Sequence, residues 1–217
     1  TKYLRIAKGE NTGSALIFVN KNFKNHISVS PESNLLFNNN ELNIFKKLKK
    51  EISVLLLQQE IPIDINIELL KIANESGIKT IYDPGPPSKY ENFDFLKFVD
   101  FLTPNKHEAE FILGKKIDGF ELEAAKELKK IGSNHVIITL GSEGLVYSGD
   151  FDRIFKPIKV NAIDPVGSGD CFNGALASMI NKGEDILNSI NFAQRAAAFS
   201  TTKKGASQSF PFLNEIK

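Results

Sequence analysis

Asp164-Pro165-Val166-Gly167-Ser168-Gly169-Asp170 runs directly into a stretch where Phe172, Ala175, Leu176 and Met179 recur at helical spacing. Two glycines at a helix entrance let the backbone N–H groups of Gly167, Ser168 and Gly169 converge. With the helix dipole they favour a negatively charged oxygen, such as that of a phosphoryl group in transfer. Asp170 sits just inside that anion pocket. A carboxylate repels phosphate and cannot be a further ligand for it, so its sensible role is general base for an alcohol attacking the phosphoryl group. The alternative on the local pattern is an aspartate helix cap after a glycine turn.

Such a site needs elements that hold it. From Gly13 to Ser30 the alternation of Ala15, Ile17 and Val19 with Leu16 and Phe18, a polar turn at Lys21 to Asn25, then Ile27 and Val29 predicts a hairpin. Glu41 to Lys50 reads as a helix with Leu42, Phe45 and Leu48 inward and its lysines in solvent. Strands and helices then alternate: Ile52 to Leu57, helix Ile63 to Glu75, Thr80 to Tyr82 closed by Asp83-Pro84-Gly85-Pro86-Pro87, Val99 to Leu102, helices His107 to Leu113 and Glu121 to Ile131, and a β-rich run His135 to Thr139. A strand near Ile158 to Ala162 and helices Cys171 to Asn181 and Ile186 to Thr201 follow. This beat predicts an α/β fold with a mainly parallel sheet covered on both faces, whose ligands bind beyond the carboxyl ends of the strands.

The glycine segment resembles the second signature of the ribokinase-like (PfkB) carbohydrate kinases, Asp-Thr-x-Gly-Ala-Gly-Asp. Asp164, Gly167, Gly169 and Asp170 match, Ser168 replaces Ala and Pro165 replaces Thr. Proline removes a backbone donor and fixes φ, which bears on any hydrogen bond made by the family's threonine. Thr103-Pro104-Asn105-Lys106-His107-Glu108 is similar to the family's Asn-x-x-Glu segment, which implies that Asn105 and Glu108 help hold Mg²⁺ and phosphate through water. An amide and a carboxylate are suitable hard-oxygen groups for that ion. An ordinary helix start explains the same residues. Thr139-Leu140-Gly141-Ser142-Glu143-Gly144 resembles the family's nucleotide-binding strand and turn; its plainer reading is a hairpin turn.

The tail from Ala196 to Ala206 resembles the family's end segment, which implies an alanine helix beside the adenine. It also implies an activating monovalent cation, K⁺, held by Asp164 and Val166 with Ser200, Lys203, Gly205 and Ser209. Gln194 falls where relatives often carry a histidine near the base. Gly9 to Asn20 and Leu55 to Pro62 narrow the resemblance to members that phosphorylate ribose, with Glu60 at the strand end that hydrogen-bonds the sugar, or else an exposed loop glutamate. Together these imply a ribokinase-like three-layer fold with a small β lid, residues 1–34 as lid and return to the core, and 35–217 as the nucleotide-binding core. They also imply ribose and ATP as substrates, Asp170 and Glu60 at the sugar, a homodimer through the lid and a cytoplasmic location. Fructose, a sugar acid or a nucleoside remain alternative acceptors, and a non-catalytic nucleotide-binding fragment is the reading from another class.

The family's first strand, its sugar-binding Asp and its Gly-Gly-x-x-x-Asn motif do not occur in the sequence, so Thr1 reads as a cut and the piece alone is expected to be inactive. Balanced charge, 27 Lys+Arg against 26 Asp+Glu, gives no field to draw nucleic acid or an anionic membrane. With 41% apolar and 24% charged residues the composition is globular, and no aliphatic run approaches the roughly 18 residues of a membrane span. The single Cys171 allows no internal disulfide, and as a thiol it reads as a small helix-packing residue. His26, His107 and His135 are scattered and form no metal constellation.

Overall fold

The computed structural model describes residues 2–19, 25–87 and 92–216. The chain opens with an antiparallel hairpin, β1 (Ser14–Val19) and β2 (Asn25–Ser30), which makes a two-stranded sheet of its own. Its expected turn lies, save for Asn25, outside the described residues. Helix α1 (Asn39–Leu48) starts at Asn38, whose side chain accepts from the Asn40 N–H while Glu41 reaches back to the Asn38 N–H.

A six-stranded sheet then runs in chain order: β3 (Val54–Gln58), β4 (Lys79–Asp83), β5 (Phe101–Leu102), β6 (His135–Thr139), β7 (Leu145–Ser148) and β8 (Asp152–Phe155). The first four strands are parallel and the last two antiparallel. Helices α2 (Ile63–Glu75), α3 (Lys106–Leu113) and α4 (Glu121–Ile131) connect the parallel part, and α5 (Ser168–Asn181) and α6 (Ile186–Ser200) complete the chain.

Alternate strand residues point to opposite faces, and this splits the core in two. Tyr82, Leu102, Val136 and Ile138 pack with Leu70, Ala109 and Leu128 under α1 to α4, whereas Ile81, Phe101 and Ile137 pack with Phe172, Leu176, Ile190 and Ala193 under α5 and α6. The result is the expected three-layer arrangement. Leu70 is fully buried, and truncating such a side chain to Ala costs about 2–5 kcal/mol.

Helices α2 and α4 and strand β6 fall where the periodicity puts them, and two strands do not. The expected strand from Val99 shortens to Phe101–Leu102 because side chains take over its ladder: Asp100 N–H donates to Thr80 Oγ1 at 2.7 Å, and Thr80 N–H to Asp100 Oδ2 at 3.0 Å. The expected strand near Ile158 to Ala162 is not formed. Pro157 has no N–H to continue the ladder, and the sheet is completed earlier by β7 and β8, which the sequence reading did not assign. Among the described residues β3 has a strand partner on one side only, and no helix is long and apolar enough to cross a membrane.

Candidate active site

Parallel strands place all their carboxyl ends on one side, so Gln58, Asp83, Thr103 and Thr139 open onto the same region. Helix α5 is aimed at that region by its first turn. Gly167 caps it in the left-handed conformation (φ 78°), and a Cβ there would meet Ala206 Cα at 3.0 Å, so glycine is required both by the backbone and by the close approach. The Ser168 N–H is used locally, donating to the Pro165 carbonyl at 3.2 Å. Gly169 and Asp170 then belong to the first helical turn, whose N–H groups have no acceptor within the helix. A Cβ on Gly169 would touch nothing within 4 Å, so the ground in front of these donors is open. Asp170 is exposed beside them, and its Oδ1 accepts from Gln58 Nε2 at 2.6 Å.

Asn105 and Glu108 are brought together by the helix start itself. Asn105 caps α3: the Glu108 N–H donates to its Oδ1 at 3.0 Å, and Glu108 accepts from the Asn105 N–H at 2.7 Å and from Asn105 Nδ2 at 2.6 Å. The capping explanation and the functional one therefore describe the same pair. Burial raises the Glu108 pKa, against the lowering effect of the Asn105 donors.

A carboxylate that the sequence reading passed over stands next to it. Asp83, the last residue of β4, has its pKa raised to about 7, chiefly by burial and then by the charge of Glu108, with Asp170 adding to it. The Gly85 N–H and Asn173 Nδ2 donate to Asp83 at 3.0 and 2.8 Å. Gly85 threads between the two acids: a Cβ on it would lie 2.6 Å from Glu108 Oε1 and 3.2 Å from Asp83 Oδ1. Three carboxyl groups, Asp83, Glu108 and Asp170, thus share one electrostatic neighbourhood. Among the described residues no three acidic, imidazole or thiol groups are placed to hold a metal ion directly; with both Glu108 oxygens engaged by Asn105, Mg²⁺ would be met through its waters. Asp-Pro at a strand end reads as turn chemistry, which is why Asp83 gave no signal of its own.

The residues expected to meet a nucleotide fall into two cavities. One of about 800 Å³ is lined by Asn105, Thr139, Leu140, Gly141 and Glu143, together with Lys106, His107 and Lys116. Asn105 and Thr139 are joined there by a parallel bridge, with the Thr139 N–H donating to the Pro104 carbonyl at 2.9 Å. Ser142 is exposed on the same turn. Gly144 is needed for the fold, since its φ is 99° and a Cβ would collide with the Phe155 carbonyl. Gln194 is not in this cavity. Its Nε2 donates to the Lys156 carbonyl at 2.8 Å, and it lines a second cavity of about 690 Å³ with Arg153, Lys156, Phe192 and Arg195.

Behind α5 the structure joins Asp164 to the C-terminal turn. Its Oδ1 accepts from the Val166 N–H at 3.1 Å and its Oδ2 from the Gly205 N–H at 2.9 Å, and these bonds, Gly205's first, hold its pKa below the usual carboxylate range. The Ser200 carbonyl accepts from the Lys203 N–H, and Ser209 is buried with its hydroxyl on the Ala206 carbonyl. An all-oxygen set of this kind suits K⁺, with the carbonyls rather than the doubly engaged carboxylate as its first donors. Glu60 is exposed just beyond β3, two residues from Gln58.

Residues 1–213 match the pfkB family carbohydrate kinase description. The chain belongs to the pfkB carbohydrate kinase family. It is 36% identical over 176 residues to the ribokinase of Lactococcus lactis, an alignment covering 81% of this chain and 56% of that relative. The chain thus spans little more than half the length of that curated relative. It is also similar to the crystal structure of ribokinase from Thermotoga maritima, with TM-score 0.81 and 32% identity, covering 100% of this chain and 71% of that one. Arabidopsis thaliana ribokinase, solved complexed with ribose and ATP, gives TM-score 0.83 at 27% identity over 96% of this chain and 69% of that one. The carbohydrate-kinase fold accounts for the three layers and the small separate hairpin.

Proposed function

We propose that this chain carries the catalytic half of an ATP-dependent kinase that phosphorylates the primary hydroxyl of D-ribose to give ribose 5-phosphate. The observation that carries the proposal is the juxtaposition of an exposed carboxylate, Asp170, with the open first turn of α5, on the side of the sheet where Asn105 and Thr139 line a cavity. Asp170 takes the proton of the attacking hydroxyl as its oxygen bonds the terminal phosphorus, while the bond to the bridging oxygen breaks and its electrons leave with ADP. The first-turn N–H groups, Gly169 foremost, stabilise the charge on the transferring group. Asn105, Glu108 and Asp83 would hold Mg²⁺, which supplies charge neutralisation at the phosphates. The carbonyls of Val166, Ser200, Lys203 and Gly205 with Asp164 and Ser209 would hold K⁺, which shapes the loop before α5.

Glu60 hydrogen-bonds the sugar in this reading, and Thr139 to Gly144 with Gln194 receive the nucleotide. The hairpin acts as a lid that pairs with its counterpart in a homodimer, supported by the exposed Leu16, Phe18 and Val29 along it. The test uses a full-length protein containing this chain. Asp170→Asn is expected to lower kcat by about 10²- to 10⁴-fold with ADP affinity kept, and a panel of ribose, fructose, a sugar acid and a nucleoside should show ribose preferred. Wild-type turnover in Asp170→Asn would remove the general-base role, and preference for another acceptor would move the proposal to that sugar.

A further inference from the structure

The carboxylate read as the proton acceptor is held by a residue to which nothing above gives a role. Gln58 Nε2 donates to Asp170 Oδ1 at 2.6 Å, joining the end of β3 to the start of α5 across 112 residues of chain. A hydrogen bond onto an ionised acceptor is among the stronger polar contacts a protein makes. Its origin is fixed from two sides. Gln58 is the last residue of β3, in register with Asp83 on β4, and its carbonyl accepts from Asn66 Nδ2 at 2.9 Å, Asn66 being fully buried in α2. The amide therefore extends from a rigid base.

Asp170 needs such a hold. It is exposed at a helix start, where several side-chain rotamers are open to it. The Gln58 amide holds one of its oxygens towards the strand ends. With Oδ1 occupied by a donor, Oδ2 is the oxygen left to accept a proton. Asn173, one turn further along α5, ties the same helix to β4 through Asp83. The helix start is thus gripped at two points, and only Gln58 acts on the reacting group.

We propose that Gln58 is a positioning residue for phosphoryl transfer, fixing one oxygen of Asp170 so that the other faces the acceptor hydroxyl. This rests on the reading of Asp170 as general base. In such a reaction small misplacements of the base are costly, because rate depends on near-attack geometry.

The experiment compares Gln58→Met, which keeps the volume and removes the donor, with Gln58→Glu, which keeps the shape and sets a carboxylate against Asp170, each in the full-length protein. Gln58→Met is expected to lower kcat about tenfold, with KM for ATP and the thermal midpoint unchanged, and Gln58→Glu to lower kcat further. In an Asp170→Asn background the Met substitution should bring no further loss, since the group it positions is gone. Unchanged kcat in Gln58→Met, or a full multiplicative loss in the Asp170→Asn background, overturns the proposal. Should Gln58→Met unfold, wild-type kcat in Gln58→Glu overturns it equally. A fully active Asp170→Asn single variant instead overturns the base assignment, which separates the two failures.

Discussion

Asn173 donates its side-chain amide to Asp83 Oδ2 at 2.8 Å, and this bond spans the gap between the start of α5 and the end of β4. It supports a carboxyl group that burial and the charges of Glu108 and Asp170 together press towards the protonated form, with a pKa raised to about 7. The folded protein therefore keeps the Asp83 proton up to about pH 7, whereas the unfolded chain releases it near the ordinary value of 3.8. Where the folded state binds more protons, stability falls as pH rises, so the contribution is complete below pH 3.8 and lost through pH 7. Asp83→Asn removes the charge, and Asn173, whose Oδ1 is buried without a partner, can turn its amide to accept from the new side chain. Without nucleotide or Mg²⁺, the variant is expected to exceed wild type in urea stability by up to roughly 4 kcal/mol at alkaline pH, and by little near pH 4. A stability difference between variant and wild type that does not grow between those pH values would contradict the assignment.

The same crowding of acids predicts how magnesium acts on Glu108. With its one oxygen on the Asn105 N–H, glutamine can take the place of glutamate in the capping box, so Glu108→Gln should preserve the start of α3 while giving up the contact with Asn105 Nδ2. It removes one negative charge from the set facing the ion. The Mg²⁺ concentration giving half-maximal stabilisation, read by thermal unfolding with ADP present, should rise about tenfold. If the Mg²⁺ dependence is the same in both proteins, Glu108 does no more than cap the helix.

How far the sequence revealed this site depends on the range of the interactions involved. Asp170 was legible as a candidate because Gly167 and Gly169 beside it mark a helix entrance. Asn105 and Glu108 were legible because a helix start places them together whatever else they do. Gln58 and Asn173 were not, since each acquires its meaning from a carboxylate 112 or 90 residues away, and an amide has no spacing signature. The layers followed from periodicity, and Tyr82 beside Ile81 shows adjacent residues serving opposite cores. Strands β7 and β8 escaped notice because the three residues Gly149, Asp150 and Phe151 make their turn so short that the pair reads as one irregular stretch, and Ile158 to Ala162 offered a more regular alternation without a partner.

Potassium should be distinguishable from sodium. Asp164 is fixed by the Gly205 and Val166 N–H groups, which join the loop before α5 to the C-terminal turn. Activity of the full-length protein should rise with K⁺ more than with Na⁺ at equal ionic strength, and Asp164→Ala should abolish the difference by releasing the turn. Because these donors lower the Asp164 pKa, the stabilisation they give is present above the ordinary carboxylate range and lost as pH falls through the lowered value. Equal responses to the two salts would count against a K⁺ site here.

Gly167 and Gly169, two residues apart at the entrance of α5, should respond to alanine in opposite ways. At Gly167 the left-handed backbone alone penalises a Cβ by about 1–2 kcal/mol, and the 3.0 Å approach to Ala206 adds to it, so Gly167→Ala should lower both stability and turnover. At Gly169 the backbone is helical and the added Cβ meets nothing within 4 Å, so the fold gains roughly 0.5–1 kcal/mol from the lost chain entropy of glycine. Helical Cβ atoms tilt towards the N-terminus, which here is the direction from which a phosphoryl group would approach the first-turn N–H groups. Gly169→Ala should therefore raise or preserve the thermal midpoint while lowering kcat/KM for ATP by at least about tenfold. That dissociation of stability from activity is what an anion hole requires and a plain helix cap does not. Full activity in a stable Gly169→Ala protein would mean that the open ground before α5 is not where phosphate binds.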